Sequence, residues 1–163
     1  MGFLFFKKGR RKMSESCFIC NKHNGNIETS GVKIYEDEFI YVGHIDKGGK
    51  PSYLGHIMID LKRHAPSLGD MTMDEAKAFG VIMARVSKAI KETEKAEHIY
   101  SAVSGNSVPH LHMHIIPRYP NTPEEYWGPW EVYDWPEAPF GKNAEIIQVC
   151  ERIKNYMEER PHE

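Results

Sequence analysis

The run Val108–Tyr119, VPHLHMHIIPRY, constrains this chain more than any other stretch. Strand side chains repeat with period two. If the run is a strand, His110, His112 and His114 share one face, and Leu111, Met113 and Ile115 turn the opposite face toward a core. Neighbouring imidazoles then start about 6.6–7 Å apart, twice the rise per residue. That spacing suits a metal cluster, or a nucleophile flanked by helpers. Pro117, which has no N–H for a ladder, is expected to end the strand. A surface strand with three solvated histidines is the bland alternative, and it leaves the clean apolar stripe unexplained.

The rest of the chain supplies a scaffold. Val32–Tyr35 and Phe39–Ile45 read as strands around the turn Glu36-Asp37-Glu38. Gly55–Leu61 is a third strand and His98–Val103 a fourth. Short connections among the first three favour an antiparallel sheet. Thr72-Met73-Asp74-Glu75 has the form of a capping box, and opens a helix to about Lys95. Its apolar stripe runs through Phe79, Ile82, Met83, Val86, Ala89 and Ile90. Asn143–Arg160 forms a second amphipathic helix, with Cys150 on its core stripe. Together these give an α+β domain with an antiparallel sheet of about five strands, one long packing helix and a C-terminal helix.

Residues 14–163 are read as one domain, a normal size for a single core. Residues 1–13, MGFLFFKKGRRKM, differ in character. They read as a disordered basic leader, or as an upstream start with Met13 the native one; a membrane-surface or nucleic-acid arm is the alternative. The net charge of −2 gives no electrostatic case for polymeric nucleic acid or a membrane surface. No apolar run approaches the ~18–20 residues that cross a bilayer. Three cysteines, two of them in one CxxC, make no disulfide framework, so the chain is read as cytoplasmic with reduced thiols.

Several further residues invite chemistry. Cys17-Phe-Ile-Cys20 is followed by Asn21–Asn26, which is loop composition; a zinc half-site suits that better than a thioredoxin-type redox pair. His64 lies just past a strand end, where a rigid element can present a ligand. Asp46 follows His44 at the end of the second strand and is a candidate for a ribose hydroxyl. Asn106 and Ser107 lie in the loop Ser104–Ser107, beside the imidazoles. Residues 120–141 are irregular and aromatic, suited to a core lid or a dimer contact, with nucleobase stacking as the alternative.

These motifs together resemble a histidine triad (HIT) hydrolase of the zinc-bearing branch, close to dinucleoside polyphosphate hydrolases and nucleoside phosphoramidases. Cys17 and Cys20, Gly55-His56-Ile57 through Lys62-Arg63-His64, and SVPHLHMHIIPRY from Ser107 to Tyr119 carry the resemblance. It implies cleavage at an α-phosphate, with His112 as nucleophile and a covalent nucleotidyl-histidine intermediate. His114 is then expected at the phosphoryl oxygens, Ser107 at the leaving group and Asn106 where relatives often carry Gln. The metal set it implies is Cys17, Cys20, His64 and His110 around a structural zinc. The segment Ser101–Asn106 is shorter than the Asn- and Gly-rich loop of many relatives. The resemblance also implies a small-molecule nucleotide substrate and a homodimer. Nucleotidyl transfer to phosphate or a sugar phosphate, and a nucleotide-binding module with little turnover, are the alternative functions.

Overall fold

The computed structural model describes residues 17–162. The basic leader proposed for residues 1–13 lies outside them. A six-residue helix, α1 (Phe18–His23), comes first. Two short strands follow, β1 (Lys33–Glu36) and β2 (Ile40–His44). Asp37 makes the turn between them: its Oδ1 accepts the backbone N–H groups of Phe39 and Ile40, each at 2.8 Å. After β3 (Ser52–Tyr53) and β4 (Ile57–Leu61) comes the long helix α2 (Met73–Glu94). Its capping box is present as read: Thr72 Oγ1 accepts from Glu75 N, and Glu75 Oε2 accepts from Thr72 N. β5 (His98–Ala102), β6 (His112–Arg118), β7 (Phe140–Gly141) and α3 (Asn143–Glu159) complete the chain.

Five strands form an antiparallel sheet in the order β1-β2-β4-β6-β5, as the short connections predicted. β3 and β7 form a separate pair. The register decides which side chains face the helices. Ile40, Val42, Ile57, Ile59, Leu61 and Ile115 are fully buried on one side, against Phe79, Ile82 and Val86 of α2 and Ile153 of α3. Each fully buried aliphatic side chain contributes about 1.5–3 kcal/mol relative to exposure. The opposite side carries Tyr41, Gly43, Met58, Asp60, His112 and His114, because Asp60 pairs with His112 and Met58 with His114.

Three boundaries differ from expectation. β6 begins at His112, so His110 lies before the strand, in a segment whose backbone pairs Leu111 with Ala65 and Leu61. Pro117 does not end the strand. β4 stops pairing at Ile57↔Ile115, so nothing on that side asks Pro117 for an N–H, and its carbonyl accepts from Tyr53 Oη at 2.8 Å. β2 ends at His44 rather than at Ile45, so Asp46 sits in the following loop.

Candidate active site

The three triad histidines differ in what occupies their ring nitrogens: His110 uses Nε2, and His112 and His114 use Nδ1 with different partners. His110 is fully buried, and its Nε2 donates to the Leu61 carbonyl at 2.5 Å. That leaves Nδ1 with the lone pair. It lies 3.4 Å from both Cys17 Sγ and Cys20 Sγ and 3.3 Å from His64 Nδ1, while Cys20 Sγ is 3.3 Å from His64 Nδ1. The four ligand atoms all lie within 4.8 Å of one another. Two sulfurs and two nitrogen lone pairs converge on one point. A tetrahedral ion with bonds of about 2.3 Å to sulfur and 2.0–2.1 Å to nitrogen sets its ligand atoms this far apart. The donor set therefore fits a four-coordinate soft or borderline metal. Burial pushes the Cys20 thiol up to about 11, and neighbouring Cys17 adds to it, so a Cys20 thiolate is favoured only beside a cation.

His112 is arranged the other way round. Its Nδ1 donates to the His110 carbonyl at 2.6 Å. Nε2 is then the unprotonated nitrogen. The side chain lies at a cavity of about 410 Å³, within the range of small-molecule sites. α1 supplies one wall through Phe18, Ile19 and Lys22, and the sheet supplies Tyr41, Gly43 and Met58. Gly43 matters by absence: a Cβ there would meet the Tyr41 ring and the Val32 carbonyl, each at 3.1 Å.

Asp46 reaches this cavity from the loop after β2. It accepts from Ser30 N at 2.9 Å, Ser30 Oγ at 2.6 Å and Gly48 N at 2.8 Å. Burial acts to raise its carboxyl, but those hydrogen bonds outweigh it and hold the group below the ordinary range. Asn106 and Ser107 are exposed in the loop before His110 and are not among the residues lining the cavity.

Residues 26–121 match the HIT domain family, well over half of the chain. The chain belongs to the HIT family. An uncharacterized HIT-like protein of Methanocaldococcus jannaschii is 30% identical over 85% of this chain and 98% of its own length. A bis(5'-adenosyl)-triphosphatase of Saccharomyces cerevisiae is 40% identical over 43% of this chain; the match spans only 37% of that enzyme. A Zn-bound histidine triad family protein from Mycobacterium smegmatis shares the fold, with a TM-score of 0.65 at 19% identity over 91% of this chain and 97% of that one. Among the described residues, no helix is long and apolar enough to cross a membrane.

Against this HIT framework, two features were not singled out from sequence. Asp60 is buried beside His112, paired with Lys22 Nζ and 3.4 Å from His23 Nε2. Burial acts to raise its carboxyl, while His23 and Lys22 together hold it down. This ion cluster ties α1 to the sheet. Lys22 also lies 4.4 Å from the Tyr41 ring centroid. The alternation of His56, Met58 and Asp60 along β4 was the available signal; the partners on α1 carry no spacing that reveals them.

The second feature is His56, only 1% exposed. Its Nε2 is 2.9 Å from His114 Nδ1. Gly55, at φ +78°, makes the turn that delivers it; a Cβ there would come within 2.9 Å of Tyr119 Oη. Burial, with help from His112, pushes His114 down to about 4, so its ring stays neutral near pH 7. The aromatic segment lies over this end. Trp130 meets the His114 ring edge-on at 5.0 Å, and Val132 is buried with Tyr53 and Ile116, as a core lid requires.

Proposed function

We propose that this HIT protein is a nucleotide hydrolase acting at an α-phosphate, on dinucleoside polyphosphates or nucleoside phosphoramidates. One observation carries the reading. The His112 Nδ1–H is committed to the His110 carbonyl, which leaves the Nε2 lone pair available at the cavity. Neutral imidazole is a competent nucleophile near pH 7. Nε2 attacks the α-phosphorus, and the bond from phosphorus to the leaving group breaks with its electron pair. The leaving group takes up a proton and departs. Water then adds to phosphorus, the P–N bond to His112 breaks, and a nucleoside monophosphate is released.

The other residues follow from position. His114 lies on the same face as His112, with ring centroids 5.3 Å apart, and its role is to contact the phosphoryl oxygens. Asp46 takes a ribose hydroxyl at the cavity rim. The loop residues Ser107 and Asn106 close on the leaving group and phosphate when substrate arrives. Cys17, Cys20, His64 and His110 hold zinc, as the Zn-bound relative's name and the ligand geometry support. With four protein ligands and no open position, that zinc supplies structure rather than chemistry. Two copies pair as a homodimer.

The yeast relative's name makes bis(5'-adenosyl) triphosphate the first substrate to test. Wild-type protein quenched early in turnover is expected to gain the mass of one adenylyl group on His112. His112→Asn is expected to lose at least about a thousandfold in kcat, as removal of a covalent nucleophile does, while keeping its metal and its circular-dichroism spectrum. Undiminished hydrolysis by His112→Asn overturns the assignment. Tight nucleotide binding with neither adduct nor product makes the protein a binding module, and adenylyl transfer to added phosphate makes it a transferase.

A further inference from the structure

Residues 120–141 do more than cover the sheet. Tyr133 Oη is hydrogen-bonded to His56 Nδ1, and His56 Nε2 in turn meets His114 Nδ1 at 2.9 Å. Three side chains from distant parts of the sequence form one line that ends at the triad. Tyr133 is firmly seated. Its ring stacks on Tyr53 with centroids 4.9 Å apart and meets Phe140 edge-on at 5.7 Å. We propose that Tyr133 is a positioning residue that sets the tautomer of His114 through His56, so that His114 offers an N–H at Nε2 to the phosphate. This inference rests on the hydrolase reading for its consequence, but not for its geometry.

Two proton arrangements fit the line. In the first, the Tyr133 O–H donates to His56 Nδ1. His56 then carries its proton on Nε2 and donates to His114 Nδ1, and His114 is left with its own proton on Nε2. In the second, every bond reverses. His56 Nδ1–H donates to the phenol oxygen, His114 Nδ1–H donates to His56 Nε2, and His114 Nε2 carries a lone pair.

The phenol decides between them. In the reversed arrangement the Tyr133 proton needs a second acceptor. Among the described residues the only hydrogen-bond partner found for Tyr133 Oη is His56 Nδ1. Reversal therefore leaves the hydroxyl proton of this half-buried side chain without a protein acceptor inside the aromatic cluster, whereas the first arrangement pairs every donor in the line. Burial pushes the Tyr133 phenol up and His56 well down, so both stay neutral and the line keeps its direction. No proton is transferred along it. The line fixes where a proton already resides.

The consequence falls on charge. A phosphoryl group gathering negative charge is stabilised by an N–H and repelled by a lone pair. A histidine free to exchange tautomers presents the wrong nitrogen part of the time. Tyr133, beyond reach of the reacting atoms in this line, removes that choice.

Nitrogen-15 NMR of full-length protein with labelled histidines reads the tautomer directly, without substrate. Wild-type His114 is expected to show a protonated Nε2 and an unprotonated Nδ1. Tyr133→Phe, which keeps the ring and removes the hydroxyl, is expected to shift His114 to a mixture or to the opposite tautomer. Tyr53→Phe takes a hydroxyl from the same aromatic cluster, and is expected to leave the His114 signals in place. With bis(5'-adenosyl) triphosphate, Tyr133→Phe is expected to lower kcat by about ten- to a hundredfold, less than loss of a direct oxyanion donor, with KM changed less than twofold. A wild-type His114 protonated on Nδ1 overturns the proposal, and that spectrum decides even if the variant fails to fold. An unchanged tautomer in folded Tyr133→Phe overturns it too. If wild-type protein hydrolyses nothing, the hydrolase reading fails while the NMR result still decides the role of Tyr133.

Discussion

His110 and His114 stand four residues apart on one run, yet their surroundings have opposite characters. At the His110 end, two thiols and two imidazoles converge with their lone pairs pointing inward. At the His114 end, an aromatic segment brings a phenol and a second imidazole to the ring. One corner has a donor set that fits a cation. The other is held by neutral hydrogen bonds under a lid of Trp130 and Tyr133. His112 lies between them and takes its orientation from the His110 backbone. His110 commits Nε2 to a carbonyl, whereas His112 and His114 commit Nδ1, one to a carbonyl and the other to an imidazole. In histidine sites, the partner of the second nitrogen defines the role as much as the position does.

The largest effect expected from breaking this contrast is at the metal corner. Cys20→Ser should lose stoichiometric metal by elemental analysis and cost several kcal/mol of stability, a fraction of the roughly 10–16 kcal/mol of small zinc peptides. Retained metal in that variant would show that the four ligands are wrongly chosen. Next comes the shared floor. Ile115, next to His114 on the opposite face of β6, is fully buried, so Ile115→Ala should cost about 2–5 kcal/mol in urea unfolding. A cost below about 1 kcal/mol would mean that the floor is not packed as described.

Acid separates the two corners further. His114 titrates at about 4 in the fold, and burial likewise holds His56 and His44 down. The unfolded chain binds those protons near pH 6.5. Neutral burial therefore adds stability above about pH 6.5, and this is lost as pH falls toward about 4. Melting temperature is expected to drop from pH 7 to pH 5, and His114→Gln should flatten that slope.

The smallest effect is at the entry to α2. Arg63 grips Glu75 with two hydrogen bonds, at 2.6 and 2.8 Å, and with the capping contacts lowers its carboxyl to about 2. Glu75→Gln should cost about 1 kcal/mol at pH 7. The penalty should shrink between about pH 4.3, the unfolded value, and pH 2, because wild-type Glu75 is itself protonated there.

Much of this was legible. The alternation around His112 located the strand and its two faces, and Thr72 with Glu75 announced α2. The CxxC, His64 and His110 converge as the family resemblance implied. What stayed hidden depends on contacts between distant segments. Nothing near Tyr133 tells that it meets His56, 77 positions earlier. Lys22 reads as an ordinary charge in a loop until α1 sets it over Asp60. Strand ends were also invisible, since pairing stops where a neighbour stops. Pro117 is tolerated inside β6 because β4 is already finished, a fact about β4 rather than about Pro117.

Helix α1 is only six residues long, but it belongs to both halves of the site. Cys17 and Cys20 turn to the sulfur–imidazole corner, while Phe18, Ile19 and Lys22 form the cavity wall. An ion held at one and a nucleotide held at the other would share a partition. Thermodynamic linkage makes that sharing symmetric: whatever factor the ion adds to nucleotide affinity, the nucleotide returns to ion affinity. Chelator resistance measured with and without nucleotide would weigh that exchange, and the helix would be its fulcrum.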